Sequence, residues 1–392
     1  MEKIKVGVIG MGFIGPTHIE AIRRLGFVEV VALADSSLES AEKKAADFGI
    51  PKAYGDYRDM LKDDEIQVVH NCTPNHLHFA INKAIILAGK HVLSEKPLAM
   101  NSEESAELLA LAKKHKVVHG VNFNYRQYPI VKQLAAMVNH EQLGKVNLVH
   151  GSYLQDWLLY ETDFNWRLTP EAGGKSRAIA DIGSHWCDTV QYVTGKRIVE
   201  VFADLATVIP VRKKSKSNEA TFGFENDQEL EYEDVPINTE DYASVLLKFE
   251  DGSRGVFTVS QVSAGRKNRL SFEINGSKSS AYWNQEEPAK LWIGHRDKPN
   301  ENMLADPSLF LLEAQSGIHH PGGHNEGWPD ALKNAMLNFY SFIRDGKDPE
   351  RDEADFATFA DGHVSMCITD AILTSHEQQK WIKVSRGQEG EL

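Results

Sequence analysis

The stretch Ile4-Lys5-Val6-Gly7-Val8-Ile9-Gly10-Met11-Gly12-Phe13-Ile14-Gly15 decides the fold. A β-branched apolar run leads without a break into Gly-x-Gly-x-x-Gly. Residues 17–25 then carry a helical pattern, and residues 28–34 form a second apolar strand that ends at Asp35. Strand, glycine-rich turn, helix, strand and acid is the order that a dinucleotide-binding βαβ unit requires. Asp35 lies 20 residues beyond Gly15, the spacing expected of an acid that accepts hydrogen bonds from a ribose. Gly10 permits the tight turn, Gly12 lets the backbone approach a pyrophosphate at the helix N-terminus, and Gly15 lets helix and strand pack closely.

The alternation of strands and helices continues to about residue 121. Helical patterns at 38–48, 57–62 and 79–88 alternate with apolar runs at 66–71, 92–93 and 117–121. Such alternation predicts a doubly wound parallel sheet. Thr73, Asn75 and Lys96 then fall at strand C-termini, where open α/β sheets bind their ligands. In Ser94-Glu95-Lys96-Pro97 the proline restricts Lys96 to extended geometry and makes a cis bond possible. Asp35 would repel a 2′-phosphate, and Ser36 and Ser37 offer no compensating cation, so the sequence favours NAD over NADP.

Composition narrows the class. The 392 residues suffice for two or three domains, and 42% hydrophobic with 25% charged residues suits a soluble globular protein. A net charge of −13 argues against a nucleic-acid partner. The basic run 212–216 is followed by acidic residues 225–234, and the pair reads as a solvated loop. Cys72, Cys187 and Cys367 are far apart, which argues against disulfides or a thiolate metal site and suits a cytoplasmic location. No signal peptide and no membrane-spanning stretch is expected.

Taken together, several motifs resemble the glucose–fructose oxidoreductase / inositol dehydrogenase / rhizopine-catabolism (Gfo/Idh/MocA) family. They are Gly10-x-Gly12-x-x-Gly15, Thr73-Pro74-Asn75-x-x-His78, Ala88-Gly89-Lys90-His91-Val92-Leu93, Ser94-Glu95-Lys96-Pro97-Leu98, Asn124-x-Arg126 and Asp181-Ile182-Gly183-Ser184-His185. The resemblance implies a Rossmann domain, residues 1–123, and an α+β domain with a large open antiparallel sheet, residues 124–392, whose C-terminal helices return to the domain junction. It implies NAD(P)-linked oxidation of sugars, inositols or related polyols by a homodimer or homotetramer. Lys96, Asp181 and His185 match the family's catalytic Lys, Asp and His. The expected cofactor-binding set is Gly10, Gly12, Phe13, Ile14, Gly15, Asp35, Ser36, Thr73, Asn75, His78, Glu95 and Lys96. Two other activities occur on related chains: glycoside cleavage with transient oxidation, and NAD sensing without catalysis. The intact Lys96, Asp181 and His185 count against a sensor.

Within the second domain, residues 178–194 read as a helix closed by Gly195. Asp181, His185, Asp188 and Tyr192 fall at i, i+4, i+7 and i+11, while Trp186, Val190 and Val193 fall on another face. Aromatic residues 157–166 suit either sugar stacking or a core. Asn124, Arg126, Asp156, Trp166, Arg167 and His324 are the further substrate-binding candidates. His320, His324 and Glu326 do not make a metal site, because Pro-Gly-Gly separates the histidines and no helix carries them. Strands are expected at 146–154, 200–207, 242–249, 255–262, 269–275, 280–283, 291–293 and 381–384. Residues 213–239 show little pattern, a long excursion within one hairpin. Helices are expected at 128–139, 330–343 and 355–378.

Overall fold

The computed structural model describes residues 3–216 and 231–386. They divide into two compact units, residues up to Tyr128 with Trp328–Met366, and Pro129–Gly327 with the residues after Met366.

Six parallel strands build the first unit: β1 (Ile4–Ile9), β2 (Val28–Ala34), β3 (Lys52–Tyr54), β4 (Val68–Asn71), β5 (His91–Ser94) and β6 (His119–Val121). Their order is β3-β2-β1-β4-β5-β6, the doubly wound Rossmann arrangement, with the topological switch between β1 and β4. Helices α1 (Ile14–Arg23), α2 (Leu38–Phe48), α3 (Tyr57–Met60), α4 (Asn75–Leu87) and α5 (Ser102–His115) connect them. Strand alternation sends Val6 and Val8 into one core with Ile19 and Ile22 of α1. It sends Ile9, with Val69 of β4, into a second core with Ile81 and Ile85 of α4. Burial on both faces explains the nearly continuous apolar runs. Each such side chain contributes about 1.5–3 kcal/mol of burial.

The second unit is dominated by a mixed sheet. Its strands are β7 (Val146–Leu154), β8 (Ile198–Ala206), then β11 (Tyr242–Phe249) to β16 and β17 (Ile382–Lys383), after a separate ribbon of β9 (Val211–Ser215) and β10 (Tyr232–Pro236). Between β11 and β17 lie β12 (Arg254–Ser260), β13 (Arg269–Gly276), β14 (Ser280–Asn284), β15 (Lys290–Gly294) and β16 (Glu301–Leu304). The order is β16-β15-β14-β13-β7-β12-β11-β8-β17. Neighbours are antiparallel except β7 and β12, which run parallel. The long excursion after β7 allows that parallel pairing. Helices α6 (Pro129–Asn139), α7 (Pro170–Gly173) and α8 (Ser184–Thr194) belong to this unit. Trp186 of α8 stacks on Phe257 of β12 at 4.5 Å between ring centroids. On β11, Ala243, Val245 and Leu247 are buried while Leu246 is exposed, the period-2 signature of a sheet with one covered face.

The stretch 213–239 lies between the antiparallel neighbours β8 and β11, the excursion within one hairpin that was expected, and its described parts carry a pattern: β9 and β10 pair with Arg212 opposite Val235 and Ser215 opposite Tyr232, while residues 217–230 lie outside the described residues. One expectation is corrected here. The basic run is not wholly solvated. Arg212 is fully buried, donating to the carbonyls of Leu158 and Tyr160 and to Asp241. A single inward-facing position of a strand was enough to bury one cation of the run.

Finally, α9 (Trp328–Arg344) places Met336, Phe339 and Tyr340 in the core that holds Val6 and Val8. The last helix, α10 (Phe359–Gln378), has its N-terminal part in the first unit and its C-terminal part in the second. No described helix is long and apolar enough to cross a membrane.

Candidate functional site

The C-terminal edge of the six-stranded sheet gathers the first group of candidate residues. Gly10 has φ +88°, and a Cβ there would meet the Cys72 backbone at 2.7 Å. A Cβ on Gly15 would meet the Gly10 carbonyl oxygen at 2.3 Å. Packing therefore requires both glycines. Gly12 differs, because a Cβ there would meet nothing within 4 Å. The open ground over Gly12 suits the close approach of a ligand. Phe13, beside it, is 58% exposed, and Ile14 begins α1. No side chain caps α1 and no acid sits in its first turn, so its N–H groups and positive dipole end stay available to a pyrophosphate. The residues present fit a dinucleotide.

Asp35 stands at the end of β2. Its Oδ1 accepts the Ser36 N–H at 2.9 Å, and its Oδ2 accepts the Ser40 hydroxyl at 2.6 Å and the Lys44 ammonium at 2.5 Å. Burial pushes the carboxyl up, but these three donors outweigh it and hold it below the usual range. Lys44 is the cation that inspection of Ser36 and Ser37 missed. It reaches Asp35 because α2, capped by Ser37, turns Ser40 and Lys44 onto one face.

A buried amide network ties together the ends of β4 and β5. Asn71 Oδ1 accepts the Thr73 hydroxyl at 2.7 Å, and Asn71 Nδ2 donates to Asn82 Oδ1 at 2.9 Å. Asn82 Nδ2 in turn donates to Ser94 Oγ at 2.9 Å. Each satisfied bond of this kind is worth about 1 kcal/mol, and losing one partner costs more. Asn75, the first residue of α4, is buried beside this network. His78 is also buried, with Nδ1 at 2.6 Å from the Pro97 oxygen and Nε2 at 2.7 Å from the Thr73 oxygen. Burial lowers its affinity for a second proton, and a neutral ring donates to one of these carbonyls at a time. The Lys96–Pro97 peptide bond is cis.

Glu95 is almost wholly buried. Its Oε1 faces His18 Nε2 at 2.9 Å and Asn122 Nδ2 at 2.6 Å, and its Oε2 accepts the Lys96 N–H at 3.2 Å. Burial raises this carboxyl, but the hydrogen bonds from His18 and Asn122 and the Lys96 charge prevail and hold it below the usual carboxylate range. Asn124 and Arg126 lie in the short 3-10 turn that follows β6. Arg126 donates to Asp361 at 2.8 Å, and the Asn124 side-chain NH₂ is buried with no partner among the described residues.

In the second unit, Asp181 sits on a π turn, Ile179–Gly183, directly before α8. Such wide turns recur at functional sites. A wheel drawn at 3.6 residues per turn does not account for the wide turn, so only His185, Asp188 and Tyr192 share the regular α-helical part. His185 and Asp188 are both buried, so this polar stripe is not a solvated face. The Tyr153 ring lies 6.4 Å from His185 between centroids. Asp181 Oδ2 accepts the Gln261 amide at 2.9 Å, and Arg167 Nε approaches Asp181 Oδ1 at 3.9 Å. The Arg167 guanidinium covers the Trp166 ring at 4.4 Å. Asp181, Arg167 and Trp166 are therefore neighbours.

Asp156 and His324 are the remaining substrate candidates. Asp156 accepts the Gly265 N–H at 3.0 Å and the Lys267 ammonium at 2.7 Å. His324 is exposed, with Nδ1 at 3.2 Å from the Pro321 oxygen. Trp157 and Phe164 pack against Leu158, Leu168 and Ile237, which favours the core reading for these two aromatics. Gln261 and the arginine behind it, Arg177, had no motif to reveal them. Arg177 NH1 donates to Gln261 Oε1 at 3.1 Å, which leaves the Gln261 NH₂ aimed at Asp181.

Comparison with known proteins agrees with this geometry. Residues 4–123 match the model of the oxidoreductase family with an NAD-binding Rossmann fold, and residues 131–282 match the GFO/IDH/MocA C-terminal domain. A levoglucosan dehydrogenase of Pseudarthrobacter phenanthrenivorans is 30% identical over 98% of this chain and 99% of its own. The structure of a levoglucosan dehydrogenase in complex with NADH and L-sorbose matches with a TM-score of 0.86 at 28% identity, covering 98% of this chain and all of that one. An oxidoreductase domain protein from Kribbella flavida matches with a TM-score of 0.87 at 30% identity, again over 98% and 100% of the two chains. The chain is a member of the Gfo/Idh/MocA family of NAD-binding oxidoreductases.

Proposed function

We propose that this protein is an NAD-dependent dehydrogenase that oxidises a hydroxyl-bearing carbon of a sugar or related polyol. One observation carries the reading. Lys96 stands at the end of β5, on the same sheet edge as the glycine turn and Asp35, anchored from behind by Glu95. Levoglucosan dehydrogenase, crystallised with NADH and L-sorbose, supports a sugar as the substrate class.

The glycine turn and the first turn of α1 would hold the pyrophosphate, and Asp35 with Ser36 would receive the adenosine ribose. Thr73, Asn75 and Lys96 would border the nicotinamide end. NAD⁺, when bound, supplies the hydride acceptor. Lys96 donates a hydrogen bond to the hydroxyl oxygen and stabilises the charge that develops there as the proton leaves. His185 is the general base, since an imidazole titrates near working pH. Asp181, held by Gln261, accepts a hydrogen bond from a substrate hydroxyl, and Arg167 with Trp166 presents a cation and an apolar face to the sugar.

The test is a panel of hexoses, inositols, levoglucosan and glycosides incubated with NAD⁺, followed by NADH absorbance. A sugar or polyol in the panel is expected to yield NADH. Glycoside cleavage with no accumulation of NADH would instead assign the transient-oxidation chemistry. Lys96→Ala is expected to lower kcat by about 100-fold or more while NADH still quenches protein fluorescence; normal turnover by that variant would remove Lys96 from the chemistry.

A further inference from the structure

A chain of three buried titratable side chains runs behind Glu95, all within the first unit. Tyr340 Oη of α9 lies 2.6 Å from His70 Nε2 of β4. His70 Nδ1 lies 2.8 Å from His18 Nδ1 of α1, and His18 Nε2 lies 2.9 Å from Glu95 Oε1. Tyr340, His70 and His18 are 0% exposed.

The chain has one direction. A carboxylate only accepts, so the hydrogen on His18 sits at Nε2. A neutral His18 then offers a lone pair at Nδ1, which requires the hydrogen of His70 at Nδ1. His70 Nε2 is left with a lone pair, which takes the Tyr340 O–H. Every contact is satisfied with both rings neutral and each in a single tautomer. An added proton on His18 would force His70 to turn its hydrogen toward Tyr340, and the phenol would lose its acceptor. Burial agrees with the neutral arrangement. It pulls His70 well below the ordinary imidazole range and pushes the Tyr340 phenol well up.

We propose that His18, whose Nε2 hydrogen faces Glu95 and whose Nδ1 is backed by His70 and Tyr340, is a positioning residue that keeps Glu95 an ionised acceptor and so holds Lys96 in place for turnover. This rests on the role given above to Lys96. Glu95 is faced by His18 from α1, Cys72 from the end of β4, His78 from α4, Lys96 from its own loop and Asn122 from the segment after β6. Of these, His18, Asn122 and Lys96 favour the carboxylate. His18 is the donor that the buried relay orients. Without it, burial dominates and Glu95 takes up a proton at higher pH. The carboxylate oxygen that accepts the Lys96 N–H then weakens as an acceptor.

Two measurements decide the matter. The first is imidazole nitrogen NMR on the cofactor-free protein, which needs no substrate and is independent of the assigned activity. It is expected to show His18 as the neutral Nε2–H tautomer and His70 as the neutral Nδ1–H tautomer at neutral pH. An imidazolium at either position, or Nε2–H on both rings, overturns the relay. The second is the ionisation of Glu95 itself, followed by side-chain carboxyl carbon NMR across a pH series, with kcat at neutral pH beside it. His18→Leu is expected to take up the Glu95 proton at a pH at least about one unit higher than the wild type does, and to lose kcat. His18→Gln, whose amide can still donate to Glu95, is expected to keep the wild-type midpoint and to restore kcat. Coincident Glu95 midpoints for His18→Leu and the wild type overturn the proposal even if the tautomers are as expected. If His18→Leu does not fold, Tyr340→Phe takes its place. It removes the donor to His70 Nε2, and its NMR spectrum is expected to show that nitrogen shifting toward a bare lone pair while the His70 hydrogen stays at Nδ1; an unchanged spectrum counts against the relay.

Discussion

Lys44 Nζ lies 2.5 Å from Asp35 Oδ2, so the acid that would receive the adenosine ribose is already paired with a cation from α2. This pairing tempers the argument that Asp35 simply repels a 2′-phosphate. Asp35 still occupies the position and accepts from Ser36 and Ser40, which favours the NAD ribose. The Lys44 charge, however, stands ready once the acid is gone. Asp35→Ser is therefore expected to improve NADPH affinity by about 10-fold or more, because a freed ammonium makes a charge-assisted contact with phosphate. Lys44→Met on top of Asp35→Ser should abolish the gain. Fluorescence titration with NADH and NADPH measures both, and equal NADPH affinity for the single and double variants would show that Lys44 plays no part.

Gln261 is expected to matter to turnover although no motif contains it. Arg177 occupies its oxygen, so its NH₂ group is committed to Asp181. A hydrogen bond to a charged group contributes about 1.5–3 kcal/mol, which corresponds to roughly a 10- to 150-fold loss of kcat for Gln261→Leu if Asp181 acts in turnover. Gln261→Glu removes the hydrogens and sets two carboxylates against each other, so ionising both becomes harder. Its activity should then recover as pH rises from about 6 to 9, where both carboxylates ionise more fully. Wild-type turnover by Gln261→Glu at neutral pH would contradict the assignment.

Much of the first unit was legible because its signals are local. The glycines, the acid 20 residues on and the apolar strands all act within one βαβ unit, and the structure places them as that unit requires. The position of Glu95-Lys96-Pro97 at a strand end was legible for the same reason, but not the burial of Glu95 against His18 and Asn122, where it had been expected to bind cofactor. The residues that escaped act across long separations. His18, His70 and Tyr340 meet only because α1, β4 and α9 pack in one core, and a lone histidine in an apolar run gives no hint of its partner. Lys44 looked like ordinary helix surface until the Ser37 cap fixed the start and rotation of α2. Asp181 lies on a π turn, which no count at 3.6 residues per turn anticipates. Arg212 sat in a basic run whose charge suggested solvent, yet one inward strand position and a buried acid sufficed to bury it.

That buried acid, Asp241, carries a stability prediction with a definite pH window. Its side chain is fully buried between Arg177 and Arg212, and its Oδ2 accepts the Ile209 N–H at 2.9 Å. Burial pushes the carboxyl up, but Arg177, the Ile209 N–H and Arg212 prevail and hold it below the usual range. A carboxyl whose folded value is depressed stabilises the fold fully above its unfolded value, about 3.9, and loses that contribution as pH falls through the lower folded value. Asp241→Asn removes the charge and leaves two buried guanidinium groups uncompensated, a loss of about 3–5 kcal/mol near neutral pH. Thermal unfolding of both proteins across a pH series should therefore show a wide gap near pH 7 that narrows below about pH 4, as the wild type becomes protonated. A gap of constant width down to the acid unfolding limit would mean that Asp241 contributes its shape and hydrogen bonds but not its charge.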